Sequence, residues 1–296
     1  MLRFEMRVRE NILKITALWA LCALTHAQDV ATSPAVPPPP PERHWRLGAA
    51  FGYGERSNPL IQSEDIPVIV DLDIAWFGKR WFFDNGDIGF TLSDRPRSTT
   101  SLVARLNSDR VFFGKTNTRY VNFAYTGNGD FAPLPATSEG APVEAPIEVE
   151  PPDRDYAIEL GVESLIDVEW GAVTLRAFHD ASNTHGGYEL SADFSRRWTV
   201  RRLSFAPMLG VSYKSEKLND YYWGVSEREA NVALPAYHAG GGFAFEGGLL
   251  ANYYLSPNLR VALSFNYERL SDDVAASPLA EDDHVFAYFS GLAWTF

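Results

Sequence analysis

His179, Asp180, Ser182 and His185 crowd into one short stretch and carry the residue types of a hydrolytic site: a hydroxyl, imidazoles and a carboxylate. A nucleophile–base–acid triad normally assembles from separate segments, and four groups on a single loop lack that geometry. Two imidazoles and one carboxylate could hold a metal ion, but here they form no recognised ligand motif. No phosphate-binding glycine loop is present, and no paired-carboxylate acid–base site can be argued. A second set of charged residues recurs at alternate positions of apolar segments: Asp71, Asp73, Glu159, Glu163, Arg176, Glu189, Asp193, Arg260 and Glu268. Their chemistry is that of groups that must stay wet. They would line an aqueous interior, cation-preferring if a path runs through it, or pair into a plug that fills it.

The segments carrying those charges alternate with a period of two, the signature of strands with one apolar face. Val68, Val70, Leu72, Ile74 and Trp76 share one face of 66–77, and Asp71 and Asp73 the other. Charges on a lipid face would be costly and in a wet lumen cheap. The same reading gives strands at 44–54, 86–92, 100–106, 119–125, 156–162, 173–177, 188–194, 203–213, 243–255, 259–270 and 286–296. Pro207 inside the ninth suggests a bulge or a rim position. The fold expected is all-β: a transmembrane antiparallel barrel of about twelve strands. Ten remain possible, because Val111, Phe112 and Phe113 in 107–118 could join a strand.

Loop lengths agree with this. Segments 127–154, 180–186, 214–240 and 271–283 fall on one side, and the shorter 166–170, 198–200 and 256–258 on the other. Long outside and short inside is the barrel pattern, with both termini periplasmic. The acidic, proline-rich 127–154 has too little apolar content to pack a domain of its own.

Both ends of the chain carry an address. Arg3, Arg7, Arg9 and Lys14 precede the apolar run 15–24 and the small residues before Ala27, a secretory signal peptide over residues 1–27. Cys22 would be the modified residue of a lipoprotein, but Leu21 before it is not small; it is the only cysteine and leaves with the signal. Residues 28–44 form a proline-rich periplasmic spacer with five consecutive prolines, 37–41, an extended run that cannot join a sheet. The barrel occupies 45–296. Its last strand places Phe286, Tyr288, Ser290, Leu292, Trp294 and Phe296 on one parity. An aromatic-rich last strand ending in phenylalanine resembles the assembly signal of outer-membrane barrels, with Tyr288, Leu292, Trp294 and Phe296 as its residues and the barrel-assembly machinery as reader.

Composition fits. There are 19 Phe, 13 Tyr and 8 Trp, yet mean hydropathy is near neutral at −0.18, because lipid-facing and lumen-facing residues average out. A soluble β-sandwich would share that composition. The net charge of −12 argues against nucleic acid as a partner.

Tyr222, Gly224 and Val225, then Tyr237 and Gly240, then Ser277 and Pro278 follow the pattern of the MipA/OmpV family: a "Y-x-G-V", a "Y-x-A-x-G" stretch and an "R-L … S-P-L" loop. The ending 291–296 parallels its usual "G-L-x-Y-x-F". The resemblance is specific over 221–296 and looser before it. It implies a monomeric barrel in the Gram-negative outer membrane, embedded in its lipid and without catalysis or cofactor. It also implies a scaffold linking a lytic transglycosylase and a penicillin-binding protein during peptidoglycan remodelling. A small cation-preferring porin, or an adhesin acting through the outer loops, are the alternatives.

Overall fold

The computed structural model describes residues 44–113, 122–123 and 151–296. The expected signal peptide, the expected proline spacer apart from His44, and most of the expected strand 119–125 lie outside the described residues. One sheet contains β1 (His44–Arg56), β2 (Ile66–Phe77), β3 (Trp81–Asp84), β4 (Asp87–Arg95), β5 (Ser98–Leu106), β6 (Asn122–Phe123) and β7 (Ile158–Val168). It continues through β8 (Gly171–Asp180), β9 (Tyr188–Ser195), β10 (Trp198–Val200), β11 (Leu203–Lys214), β12 (Gly242–Tyr254), β13 (Leu259–Arg269) and β14 (His284–Thr295). Neighbours pair antiparallel around the ring, and β1 pairs with both β2 and β14, so the sheet closes on itself. β6 and β10 stand off the ring, leaving a closed barrel of twelve strands. Closure is the physical solution for a sheet in lipid, since an open edge there would leave backbone groups unpaired.

The count of twelve holds with one exchange of members. Of the expected strand 119–125 only Asn122 and Phe123 are described, as β6 parallel to β2, and β3 holds a position in the described ring that the sequence reading did not assign. β3 and β4 are joined by Asn85 (φ 51°) and Gly86 (φ +111°), both in the positive-φ region that two-residue hairpin turns favour. Asn85 also ties this turn to β2: its amide donates to the Ile74 carbonyl at 3.0 Å, and its side-chain oxygen accepts from the Ile74 amide at 2.8 Å.

The alternation separates lipid from lumen as expected. Trp45, Phe51, Leu102, Leu160, Leu209, Leu292 and Trp294 are exposed on the outside, whereas Ala287, Phe289 and Ala293 are buried on the other parity of β14. Val68 is the correction. The register runs Phe51↔Val70 and then Gly54↔Val68, so two β1 residues oppose one on β2. That bulge flips the parity beyond it. Val68 therefore leaves the lipid face and lies fully buried against Ala50, Phe289 and Ala293. Pro207 takes the rim position: β9 pairs with β11 only from Met208 onward, so the missing N–H costs that ladder nothing.

At the long-loop end, two short helices and a 3₁₀ turn fold down over the mouth. They are the 3₁₀ turn Asp109–Phe113, α1 (Glu216–Trp223) and α2 (Asp272–Ala275). Among the described residues, no helix is long and apolar enough to cross a membrane.

Candidate functional site: the capped lumen

Four long connections that sequence alone would leave as solvated loops share one apolar core. Leu60 comes from the first, Phe112 and Phe113 from the 3₁₀ turn, Leu218, Tyr222, Trp223, Val225 and Leu234 from the third, and Val274 and Leu279 from the fourth. All are buried. Phe113 meets Trp223 edge-on at 5.4 Å, and Phe112 lies 6.0 Å from the same indole. Aromatic pairs in this geometry add to the burial of their area.

The family-motif residues build this cap. Tyr222 is fully buried, and its hydroxyl donates to the Asp155 carbonyl at 3.2 Å. Val225 and Tyr237 form an isolated antiparallel bridge at 2.8 and 2.9 Å. Gly224 ends α1 where a Cβ would come within 2.3 Å of the Asp220 carbonyl oxygen, so no larger residue fits. The Gly240 carbonyl accepts from Asn219 at 2.8 Å. The Ser277 hydroxyl donates to the Trp223 carbonyl at 2.5 Å. Pro278 follows it in a turn closed by the Ala280 amide on the Ser277 carbonyl at 3.0 Å. Burial raises the Tyr222 and Tyr237 phenols above their ordinary range.

An ion pair clamps the cap's edge. Arg154 donates to Glu229 at 2.6 Å and to the Gly224 carbonyl at 2.8 Å. Burial pushes the Glu229 carboxyl up, but hydrogen bonds from Arg154 and Ser226 outweigh it and hold the group at about 2, below its ordinary 4.5. A carboxylate depressed on folding stabilises fully above its unfolded value and loses that contribution as pH falls through the folded one. The clamp should therefore loosen between about pH 4.5 and about pH 2. Hydrogen exchange at the Ser226 amide, which donates to Glu229, should show an extra acid-dependent opening over that window that Glu229→Gln lacks. An identical profile in both proteins would refute it.

Below the cap, the charges on the lumen parity pair along the wall. Arg105 donates to Glu159 at 2.8 Å, reaches past β7 and β8 to Glu189 at 2.9 Å, and stacks on Phe178 at 3.9 Å. Gly161 makes room for that ring, since a Cβ would lie 2.5 Å from Phe178 Cδ1. Arg176 bridges Glu163 and Asp193. Arg46 bridges Asp73 at 3.0 Å and Asp84 at 2.9 Å. Lys214 pairs with Asp109 at 2.6 Å and so fastens the 3₁₀ turn to the barrel wall. The charged lumen positions read from sequence are all on these strands. Arg46, Arg105 and Lys214, their counter-charges, were not among them. Arg46 and Arg105 sit on the polar parity of segments whose apolar face was read, so alternation alone could have found them.

The His179–His185 stretch forms the end of β8 and the turn into β9. Asp180 accepts from the Ser182 amide and hydroxyl and from the amides of His185 and Gly186, at 2.7 to 2.8 Å. His185 is buried, accepts the Gly187 amide at 2.9 Å, and aims its other nitrogen at Glu159, 3.5 Å away. Among the described residues, no group of three or more His, Cys, Asp or Glu could hold a metal ion.

A closed twelve-stranded ring with an aromatic apolar exterior, a charged interior and long loops gathered at one end defines an outer-membrane β-barrel. The family described as MltA-interacting protein MipA matches residues 47–296, and the chain belongs to it. The chain is 28% identical to the outer membrane protein Omp26La of Vibrio anguillarum over 231 residues, 73% of this chain and 87% of that protein. It is 28% identical to the putative outer membrane protein YiaT of Escherichia coli K12, over 84% of this chain and 90% of that one. It is 26% identical to the MltA-interacting protein of the same strain, over 49% of this chain and 58% of that one. Among solved structures, the NanC porin aligns over 84% of this chain and 100% of its own length, at 9% identity and a TM-score of 0.40. Family and barrel together place the protein in the outer membrane.

Proposed function

We propose that this protein is a non-catalytic platform of the outer membrane, its pore shut, that holds cell-wall-remodelling enzymes from the periplasmic side. The observation that carries this reading is the cap: a loop core of buried aromatics seated over the lumen mouth and fastened to the wall by Lys214 and Asp109. A barrel used for passage has little use for such a seal. The Escherichia coli relative is named as a protein that interacts with MltA. The lytic transglycosylase and penicillin-binding protein implied by the family resemblance are the partners we assign to the short turns and the proline spacer, residues 28–44. We also assign the lipid-facing Tyr288, Leu292, Trp294 and Phe296 to recognition by the barrel-assembly machinery.

The test is single-channel recording of the refolded mature chain, residues 28–296, in a planar bilayer, with heat-modifiable gel mobility proving the fold. The expected result is silence, with both wall enzymes retained on the immobilised barrel. Stable cation-selective steps would replace this reading with that of a small channel, which the acidic excess of the lumen favours.

A further inference from the structure

Charge is polarised along the barrel axis. The long-loop end is acidic, with Glu64, Asp65, Asp272, Asp273, Glu281 and Asp282 all exposed. The short-turn end is basic. Arg80 stands in the turn before β3, Arg95 and Arg97 flank the turn before β5, and the pairs Arg196-Arg197 and Arg201-Arg202 bracket β10. All of these are exposed, against Asp94, Asp167 and Glu169 on the same turns and strand ends. Among the described residues, the side chains of Arg95, Arg97, Arg197, Arg201 and Arg202 make no hydrogen bond or ion pair.

Aromatic side chains fix the depth at which those cations sit. Trp45, Trp81, Trp170, Trp198 and Trp294 are exposed at the same end, the belt position that tryptophan takes at a membrane–water interface. Two of the arginines lie against that belt on the lipid side of the wall. The Arg196 guanidinium covers the Trp198 ring at 4.9 Å, and that indole stacks on Phe205 at 5.2 Å and 22°. Arg80 covers Phe90 at 5.8 Å, and Phe90 meets Trp81 edge-on at 4.9 Å. Phe205 shares the outward parity of Leu209, and Phe90 that of Ile88 and Leu92. A guanidinium on a lipid-facing ring keeps its apolar stem beside the acyl chains and its charge at headgroup level. A polymer lying beneath the barrel would draw these side chains along the axis, off the rings.

We propose that the arginine-rich turns form a docking surface for anionic phospholipid headgroups of the surrounding leaflet, the periplasmic one in the orientation expected from loop lengths. Phosphate oxygens match the guanidinium fork, and Arg197, Arg201 and Arg202 have theirs to offer. The contact sets the depth at which the barrel rides, and it depends on neither the cap nor the wall enzymes.

The mature chain, residues 28–296, is refolded into phosphatidylcholine vesicles that contain brominated phosphatidylglycerol. A parallel set carries brominated phosphatidylcholine at the same mole fraction, and quenching of the belt tryptophans is read in both. Phosphatidylglycerol is expected to be favoured about twofold or more, and the preference to shrink in about 0.5 M salt. The combined variant Arg196→Ser, Arg197→Ser, Arg201→Ser and Arg202→Ser should lose most of it, with gel mobility still that of the folded barrel. Arg197→Ser with Arg202→Ser, which leaves the Trp198 stack in place, should lose roughly half. Lys217→Gln with Arg228→Gln, at the other end, should keep it. The proposal falls if brominated phosphatidylglycerol quenches no more than brominated phosphatidylcholine, or if the folded arginine variants keep the full preference. Lipopolysaccharide outcompeting phosphatidylglycerol at these tryptophans would overturn it in favour of the outer leaflet. Arginine-dependent sedimentation with peptidoglycan sacculi, without a lipid preference, would overturn it in favour of the wall polymer. Conductance plays no part in the readout, so its failure leaves the test of the platform untouched.

Discussion

Trp223→Ala should turn a silent barrel into a conducting one. The indole is 2% exposed at the centre of the cap, between Phe112 and Phe113. Truncating a buried tryptophan costs about 3–5 kcal/mol, the lost transfer energy plus the cavity left behind. The cap consists of short segments without a ladder of their own, so it has little else to absorb that loss. The barrel wall, held by continuous antiparallel pairing, should be spared. The expected result is current steps in the bilayer and faster tryptic cleavage at the exposed Lys217 and Arg228, with gel mobility unchanged. Trp223→Phe should keep most of the seal. If the variant's cap is cleaved and the bilayer stays silent, the cap is not the barrier, and the obstruction lies deeper, at the Arg105 and Arg176 pairs.

Arg105→Met should have the second large effect, this time on the barrel. Glu159 is 0% exposed, and the change leaves it with Asn107 at 2.7 Å and His185 at 3.5 Å but no cation. Stranding a buried carboxylate costs about 3–5 kcal/mol. Lysine should not rescue it. Arg105 reaches Glu159 through Nε and Glu189 through Nη2 while stacking on Phe178, and a single ammonium cannot reproduce that fork. Adding Glu159→Gln should recover much of the loss, because the charge left unpaired is then gone. The check is a urea titration followed by gel mobility. A loss below about 1 kcal/mol, the range of exposed pairs, would mean that water reaches Glu159 and screens it.

The barrel was legible in the sequence because parity is a local property. Asp71 faces the lumen and Leu72 the lipid for a reason contained in one strand. Reading failed where the cause was non-local or too short. Val68 changed face through a bulge whose extra residue sits on the partner strand. Trp81–Asp84 is too short to show alternation, although the Asn85-Gly86 turn beside it was a signal that could have been used. Of segment 119–125 only Asn122 and Phe123 are described, and they lie beside β2. The cap was the least visible part. Its members come from four connections with no shared period, and the family pattern marked Tyr222, Val225 and Ser277 without saying that they meet.

The seam between β1 and β14 has a kinetic consequence. Gly48 pairs with Thr295, and the Phe296 amide donates to the Leu47 carbonyl at 2.8 Å, so the ladder that seals the ring joins opposite ends of the sequence. Such contacts form late, because the whole intervening chain must be in place before they can. Until then every intermediate carries two raw sheet edges, able to stitch onto another copy. Substitutions along this seam should thus be felt first in how many barrels are completed, and only afterwards in how firmly a finished one holds.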